Sequence, residues 1–286
     1  MQVAFHVGVR GAEDEGIRAC LEANRAALAA HRVEISDNAV NEPILNEAIR
    51  ALKGGVASPE MEEVVLDALV EGEDTRRLVM SRTTFLGIPR RAFAAEGLFG
   101  GAGKKLRGIA DVLPGCRSEF FFAIRNPATL LPELAAREKQ PPASGDLVER
   151  RWGPTLQGVV EALGGRRLVL WCNEDAPFVL PEAIRMIAGV PAEEPLKGDN
   201  AVLGRLLTQE GRKAWRQRAR AIAPGDIAAR RALVAELLAG HHDPETVRAS
   251  IAMPGWDQGV VDDITAAYEA DVAMIAALPG VEFLSP

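Results

Sequence analysis

Two stretches of this chain set an arginine beside groups that suit anion binding. Arg125 follows an apolar run and precedes Asn126-Pro127. An arginine there would reach an anion at the edge of a sheet, or else cap a helix or form an internal ion pair. Arg82 lies in Ser81-Arg82-Thr83-Thr84, where its guanidinium and two hydroxyls could hold an anion. The same hydroxyls could equally cap the next helix, since Ser and Thr satisfy free N–H groups at helix starts. Two further groups could move protons. Glu174, in Asn173-Glu174-Asp175, could serve as a general base or orient a ligand, or could cap a helix starting near Pro181 or pair with Arg125. His6 could act as a base, although a histidine inside an apolar run is more commonly a hydrogen-bonded core residue.

Other motifs point to structure. Gly97 to Lys105 resembles a phosphate-binding loop but breaks the Gly-x-x-x-x-Gly-Lys-Ser/Thr pattern, with Leu98 at the first glycine and Lys105 at the hydroxyl. It reads as a flexible loop or lid that turns Lys104, Lys105 and Arg107 toward solvent or an anion. In His241-His242-Asp243 adjacent side chains point apart, so a polar turn is expected. Cys20, Cys116 and Cys172 fit no zinc spacing and no disulfide framework. No metal is expected. Arg212, Arg216 and Arg220 share one helix face near Trp215, which reads as a solvated face.

The elements that would position these groups follow from hydrophobic patterning. Five apolar runs, at Gln2–Gly8, Arg76–Ser81, Glu119–Arg125, Arg166–Cys172 and Val281–Leu284, predict strands. Their continuous apolar character predicts strands buried on both faces, as in a parallel sheet covered by helices. Helical patterns separate them, at Glu13–His31 (with Ile17, Cys20, Leu21 and Leu28 on one face) and at Pro59–Val70. Beyond Gly198 the reading is nearly all helix, at Leu203–Ala221, Ile227–Ala239 and Gln258–Leu278. The class is thus α/β, a parallel sheet of about five strands flanked by helices with a helical C-terminal part. We expect one domain, with an α/β core at 1–197, helices at 198–278 and a terminal strand at 279–286. Glu138–Asp146 reads as its most loop-like segment. In such sheets ligands bind at the carboxyl ends of strands.

The 286 residues carry a net charge of −7, with 48% hydrophobic and 26% charged residues. That balance is globular, and no global basic field invites nucleic acid or an anionic membrane. The apolar start is too short for a signal peptide, and no run reaches the roughly 20 residues of a membrane span. A cytoplasmic protein is expected, its odd cysteine count suiting a reducing compartment.

His6-Val7-Gly8, the helix residues Ile17 and Leu21 that follow, Arg125-Asn126-Pro127 and the Asn173-Glu174-Asp175 strand end together resemble the sulfotransferase family, in particular its bacterial members. The resemblance runs over essentially the whole chain. It implies a P-loop-like fold and transfer of a sulfuryl group from 3′-phosphoadenylyl sulfate to a hydroxyl or amine. On the enzymatic reading, Gly8, Arg10, Arg82 and Arg125 would hold a nucleotide donor, with Glu174 or His6 as the base.

The loop departs from that family's pattern. Gly11 stands where the lysine would be, Glu13 replaces a glycine, and Asp14 and Glu15 replace a hydroxyl pair. Carboxylates at a helix start occupy the electrostatic niche an anion would fill. Arg10 could offset one of these charges. The serine that the family places after the arginine falls on or near Glu133. The expected function is therefore a sulfotransferase-like protein without normal donor binding, serving as a binding or regulatory protein. The alternative is a transferase moving a sulfuryl or other anionic group from a nucleotide donor. The expected partner is a small anionic ligand or a protein; nucleic acid and membrane are not expected, and a homodimer could form through the C-terminal helices.

Overall fold

Strand β1 (Gln2–Val7) is buried from Val3 onward, and its two neighbours come from far along the chain. The order of elements is β1, α1 (Asp14–Ala23), α2 (Arg25–Ala30), β2 (Val33–Ile35), α3 (Asn38–Leu52), α4 (Pro59–Leu69), β3 (Arg77–Arg82), α5 (Ala102–Ala110) and β4 (Arg117–Ile124). There follow α6 (Pro127–Ala135), α7 (Trp152–Leu163), β5 (Arg167–Cys172) and α8 (Ala176–Ala188). After them come α9 (Ala201–Leu206), α10 (Gln209–Arg218), α11 (Ile227–His241), α12 (Pro244–Val247), α13 (Gln258–Ala276) and β6 (Val281–Leu284). This computed structural model describes residues 1–9, 14–82, 84–94, 97–138, 147–247, 251 and 253–286, the side chains of Asp14 and Val247 aside. The loop-like segment at 139–146 lies outside the described residues.

The protein is α/β, with one parallel six-stranded sheet in the order β2-β3-β1-β4-β5-β6. Five strands match the apolar runs. The sixth, β2, is three residues on the sheet edge, too short to show a pattern. Side chains alternate between two cores. On one face, Ala4, Val79, Phe121, Val169 and Trp171 pack with Ile17, Cys20, Leu21 and Leu28 of α1 and α2 and with α8. On the other, Phe5, Met80, Phe120, Phe122 and Leu170 meet residues of α3 to α7 and of α13. The chain changes direction of travel at β1, with β3 on one side and β4 on the other. Such a switch point opens a crevice at the carboxyl ends of the strands.

Several expected boundaries need correction, two of them among the C-terminal helices and α8. The helical pattern of 203–221 is broken at Leu207-Thr208, where Leu207 bridges to His242 and Thr208 Oγ1 accepts from Gly211 N to start a new helix. Helix α8 begins at Ala176 and runs through Pro181 instead of starting near it. Pro181 has no N–H for the carbonyl four residues earlier, that of Pro177. The Arg230 guanidinium takes that carbonyl at 2.8 Å and the carbonyl of Phe178 at 2.7 Å, so α11 repairs the break in α8.

The glycine-rich stretch 97–105 is not a loop throughout, because α5 begins at Ala102. One of its glycines, Gly103, serves packing. A β-carbon on Gly103 would overlap the backbone carbonyl of Gly158 on α7, so this glycine lets the two helices touch. The cysteines are free, and burial pushes each thiol up to about 11, which leaves them as inert thiols.

Candidate functional site

At the carboxyl edge, the β1–β3 pairing continues past the strand ends, with Gly8 N donating to Arg82 O at 2.9 Å. Arg10 and the loop residues Gly11 to Glu13 lie outside the described residues, as does Thr83. The helix expected after that loop begins at Asp14. Arg82 is 8% exposed and pairs with the Glu42 carboxylate of α3. It also donates to Thr84 Oγ1 at 3.1 Å and lies 5.1 Å from the Phe85 ring centre. Burial lowers the pKa of this guanidinium, and Glu42 opposes that shift. Lys105 reaches the same corner and donates to Thr84 O at 2.6 Å.

Arg125 follows β4 directly. Its Nε donates to Thr129 Oγ1 at 3.1 Å and its Nη1 to Glu133 Oε2 at 2.5 Å, both acceptors on α6. The spacing explains this: positions 129 and 133 lie one and two helical turns beyond 125, on the side of α6 nearest the strand end. The Arg125 carbonyl accepts from Trp152 Nε1 at 2.8 Å, which fixes the corner to α7. Asn126 caps α6, its Oδ1 accepting from Ala128 N at 2.9 Å.

Glu174 sits in the short turn after β5. One oxygen accepts from the Asn126 backbone N–H at 2.9 Å and the other from Tyr268 Oη at 3.0 Å. Burial raises the pKa of that tyrosine, and the carboxylate beside it adds to the effect. Glu174 therefore bridges the β4 corner to α13, a link strengthened by Asn126 Nδ2 donating to Thr265 Oγ1 at 3.1 Å.

His6 lies inside the sheet, not at its edge. It is wholly buried and shares a 2.7 Å hydrogen bond between Nδ1 and Ser81 Oγ. Its ring stacks 6.4 Å from that of Trp171. Burial holds its pKa down at about 3, so it stays neutral and accepts protons poorly at neutral pH. The structure thus gathers Gly8 with Arg82 on one side of the switch point and Arg125 with Glu174 on the other. It leaves His6 in the core.

Sequence reading missed Glu42 and Tyr268. Tyr268 carries a signal, being the single tyrosine of the chain. Glu42 carries none, since nothing in its neighbourhood points to a partner forty residues away. Among the described residues, no cluster of three or more His, Cys, Asp or Glu could hold a metal ion. None of the helices described is long and apolar enough to cross a membrane.

No protein-family model matches the chain, and no curated protein or solved structure matches it.

Proposed function

We propose that this chain is a sulfotransferase-like protein without normal binding of the sulfuryl donor, and that it acts as a non-catalytic binding or regulatory protein. The observation that carries this reading is the pairing of Arg125 with Glu133, a carboxylate near the position where the family has a phosphate-binding serine. Glu42 meets Arg82 in the same way. A phosphate arriving at either arginine would face the negative charge of the carboxylate already paired there. At 4 Å and an effective dielectric near 20, that repulsion amounts to about 4 kcal/mol per charge pair. The carboxylates thus hold the place of the ligand.

One observation favours the alternative, a transferase moving a sulfuryl or other anionic group from a nucleotide to a hydroxyl or amine. Glu42 and Glu133 are the exposed members of their pairs, 46% and 32% exposed against 7% and 17% for the arginines. They can turn out to solvent and release the cations.

Calorimetric titration with adenosine 3′,5′-bisphosphate separates the two. No heat at high protein concentration is the expected result. Micromolar binding that disappears in Arg125→Ala would overturn the proposal and favour the transferase reading.

A further inference from the structure

A cavity of about 430 Å³ lies between α8, α10 and α11, and none of the residues lining it belongs to the carboxyl-edge cluster. Its walls include Phe178, Met186, Val190, Trp215, Ile222 and Ile227. Sites for small molecules typically have this size and lining, with a few polar groups to fix orientation. The polar groups here are unevenly matched. Asp199 is paired with Arg185 at 2.9 Å, Glu182 with Arg231 at 2.7 Å and Glu282 with Arg167 at 2.8 Å. Asp226 caps α11 through Ala229 N.

Arg230 differs from Arg185, the other cation lining the cavity. Its Nε and Nη2 donate to Asn200 Oδ1, and its remaining acceptors are the carbonyls of Pro177 and Phe178. These contacts use four of the five guanidinium N–H groups and leave one on Nη1. Among the described residues no carboxylate lies within 4.0 Å of it. Its charge instead rests against the Trp215 ring, 6.0 Å from the ring centre. Burial lowers its pKa to about 10, so it stays cationic at neutral pH. Asp199 and Glu182 act on this cation from a distance and are held by Arg185 and Arg231, so no described carboxylate touches it directly. A desolvated cation whose direct partners are neutral dipoles favours an anion, and arginine favours carboxylates through charge-assisted bonds.

We infer that this cavity binds a small monocarboxylate with an aromatic or aliphatic body, its carboxylate on Arg230 and its body between Trp215 and the aliphatic walls. This inference is independent of the carboxyl-edge reading, because the two share no residue.

Naphthalene-2-carboxylate is a suitable probe, with 2-naphthalenemethanol as its neutral counterpart. Calorimetry on the full chain is expected to show the carboxylate binding at least about tenfold more tightly than the alcohol, a difference of about 1.4 kcal/mol. Arg230→Gln is expected to erase that preference while leaving the alcohol's affinity within about threefold. Because Arg230 also holds α8, a second variant guards against misfolding. Ala223→Phe, an exposed residue at the rim, is expected to weaken both probes about tenfold with an unchanged melting temperature. Equal affinities for carboxylate and alcohol in the unaltered protein would overturn the inference. So would carboxylate binding unaffected by Ala223→Phe, or no binding of either probe to the folded chain.

Discussion

Arginine–glutamate pairs stand at both ends of the sheet, and they are built differently. At the amino end, Arg77 and Glu119 are both buried, 6% and 3% exposed, and meet at 2.7 Å. Arg77 also donates to Gln2 and to the carbonyls of Met186 and Ile187, closing the C-terminal end of α8 where a cation suits the helix dipole. Arg117 and Arg167 add further cations around Glu119 at 3.3 and 3.7 Å. At the carboxyl end, the buried Arg82 and the half-buried Arg125 each meet a carboxylate that is itself partly in water. The lesson is that one chemical pair serves two purposes. Where both partners are dry the pair is a fixture of the fold, and where one is wet it is exchangeable.

The sharpest way to break this comparison is Glu119→Ala. It strands the Arg77 charge in the core and is expected to cost about 3–5 kcal/mol in denaturant unfolding. A cost below 1 kcal/mol would show that the amino-end network is no more than a surface feature.

A somewhat smaller effect is expected from acid. His6 has a native pKa near 3 against about 6.5 when unfolded, so the unfolded chain binds the extra proton between these values. Its contribution is complete above about pH 6.5 and is lost as pH falls toward 3, at up to about 1.4 kcal/mol per pH unit. Unfolding curves from pH 7 to pH 4 should show this slope, and His6→Gln should flatten it. An unchanged slope would mean that His6 is hydrated in solution.

Tyr268→Phe removes one of the two donors to Glu174 and is expected to cost about 1.5 kcal/mol by thermal unfolding. The smallest change in stability is expected for Glu42→Gln with Glu133→Gln, under about 1 kcal/mol for each pair. This double variant sharpens the comparison most, because uncovering Arg82 and Arg125 should confer binding of inorganic sulfate that falls with added salt. If sulfate still fails to bind, the arginines are held by more than their carboxylates.

Much of the scaffold was legible in the residues, for identifiable reasons. Strands buried on both faces are unbroken apolar runs, so β1, β3, β4, β5 and β6 show directly. Strand β2 has only Val33, Glu34 and Ile35, and its pairing with β3 comes from tertiary context. The break before α10 was hidden because Thr208 is an unremarkable residue until its hydroxyl caps a helix. Proline 181 read as a helix start because its remedy, Arg230, lies on another helix. At the site, Arg82, Arg125 and Glu174 stood out by following strands. Their partners Glu42 and Tyr268 sit on α3 and α13, and no local pattern announces a contact over such sequence distances. Glu133 stood out only as the place where the resemblance implies a serine, and its pairing with Arg125 comes from the structure.

The placement of β1 governs how this chain must find its structure. Gln2 aligns with Arg77 on one side and with Arg117 on the other, so the central strand gains neither neighbour until long loops have closed. Closing those loops costs entropy before any pairing rewards it, which makes assembly slow relative to a protein of local contacts. During that wait a strand as apolar as Val3 to Val7 has both edges open and is the segment most exposed to mispairing with another copy. Refolding yield should therefore fall steeply with protein concentration, even though the finished sheet hides this strand completely.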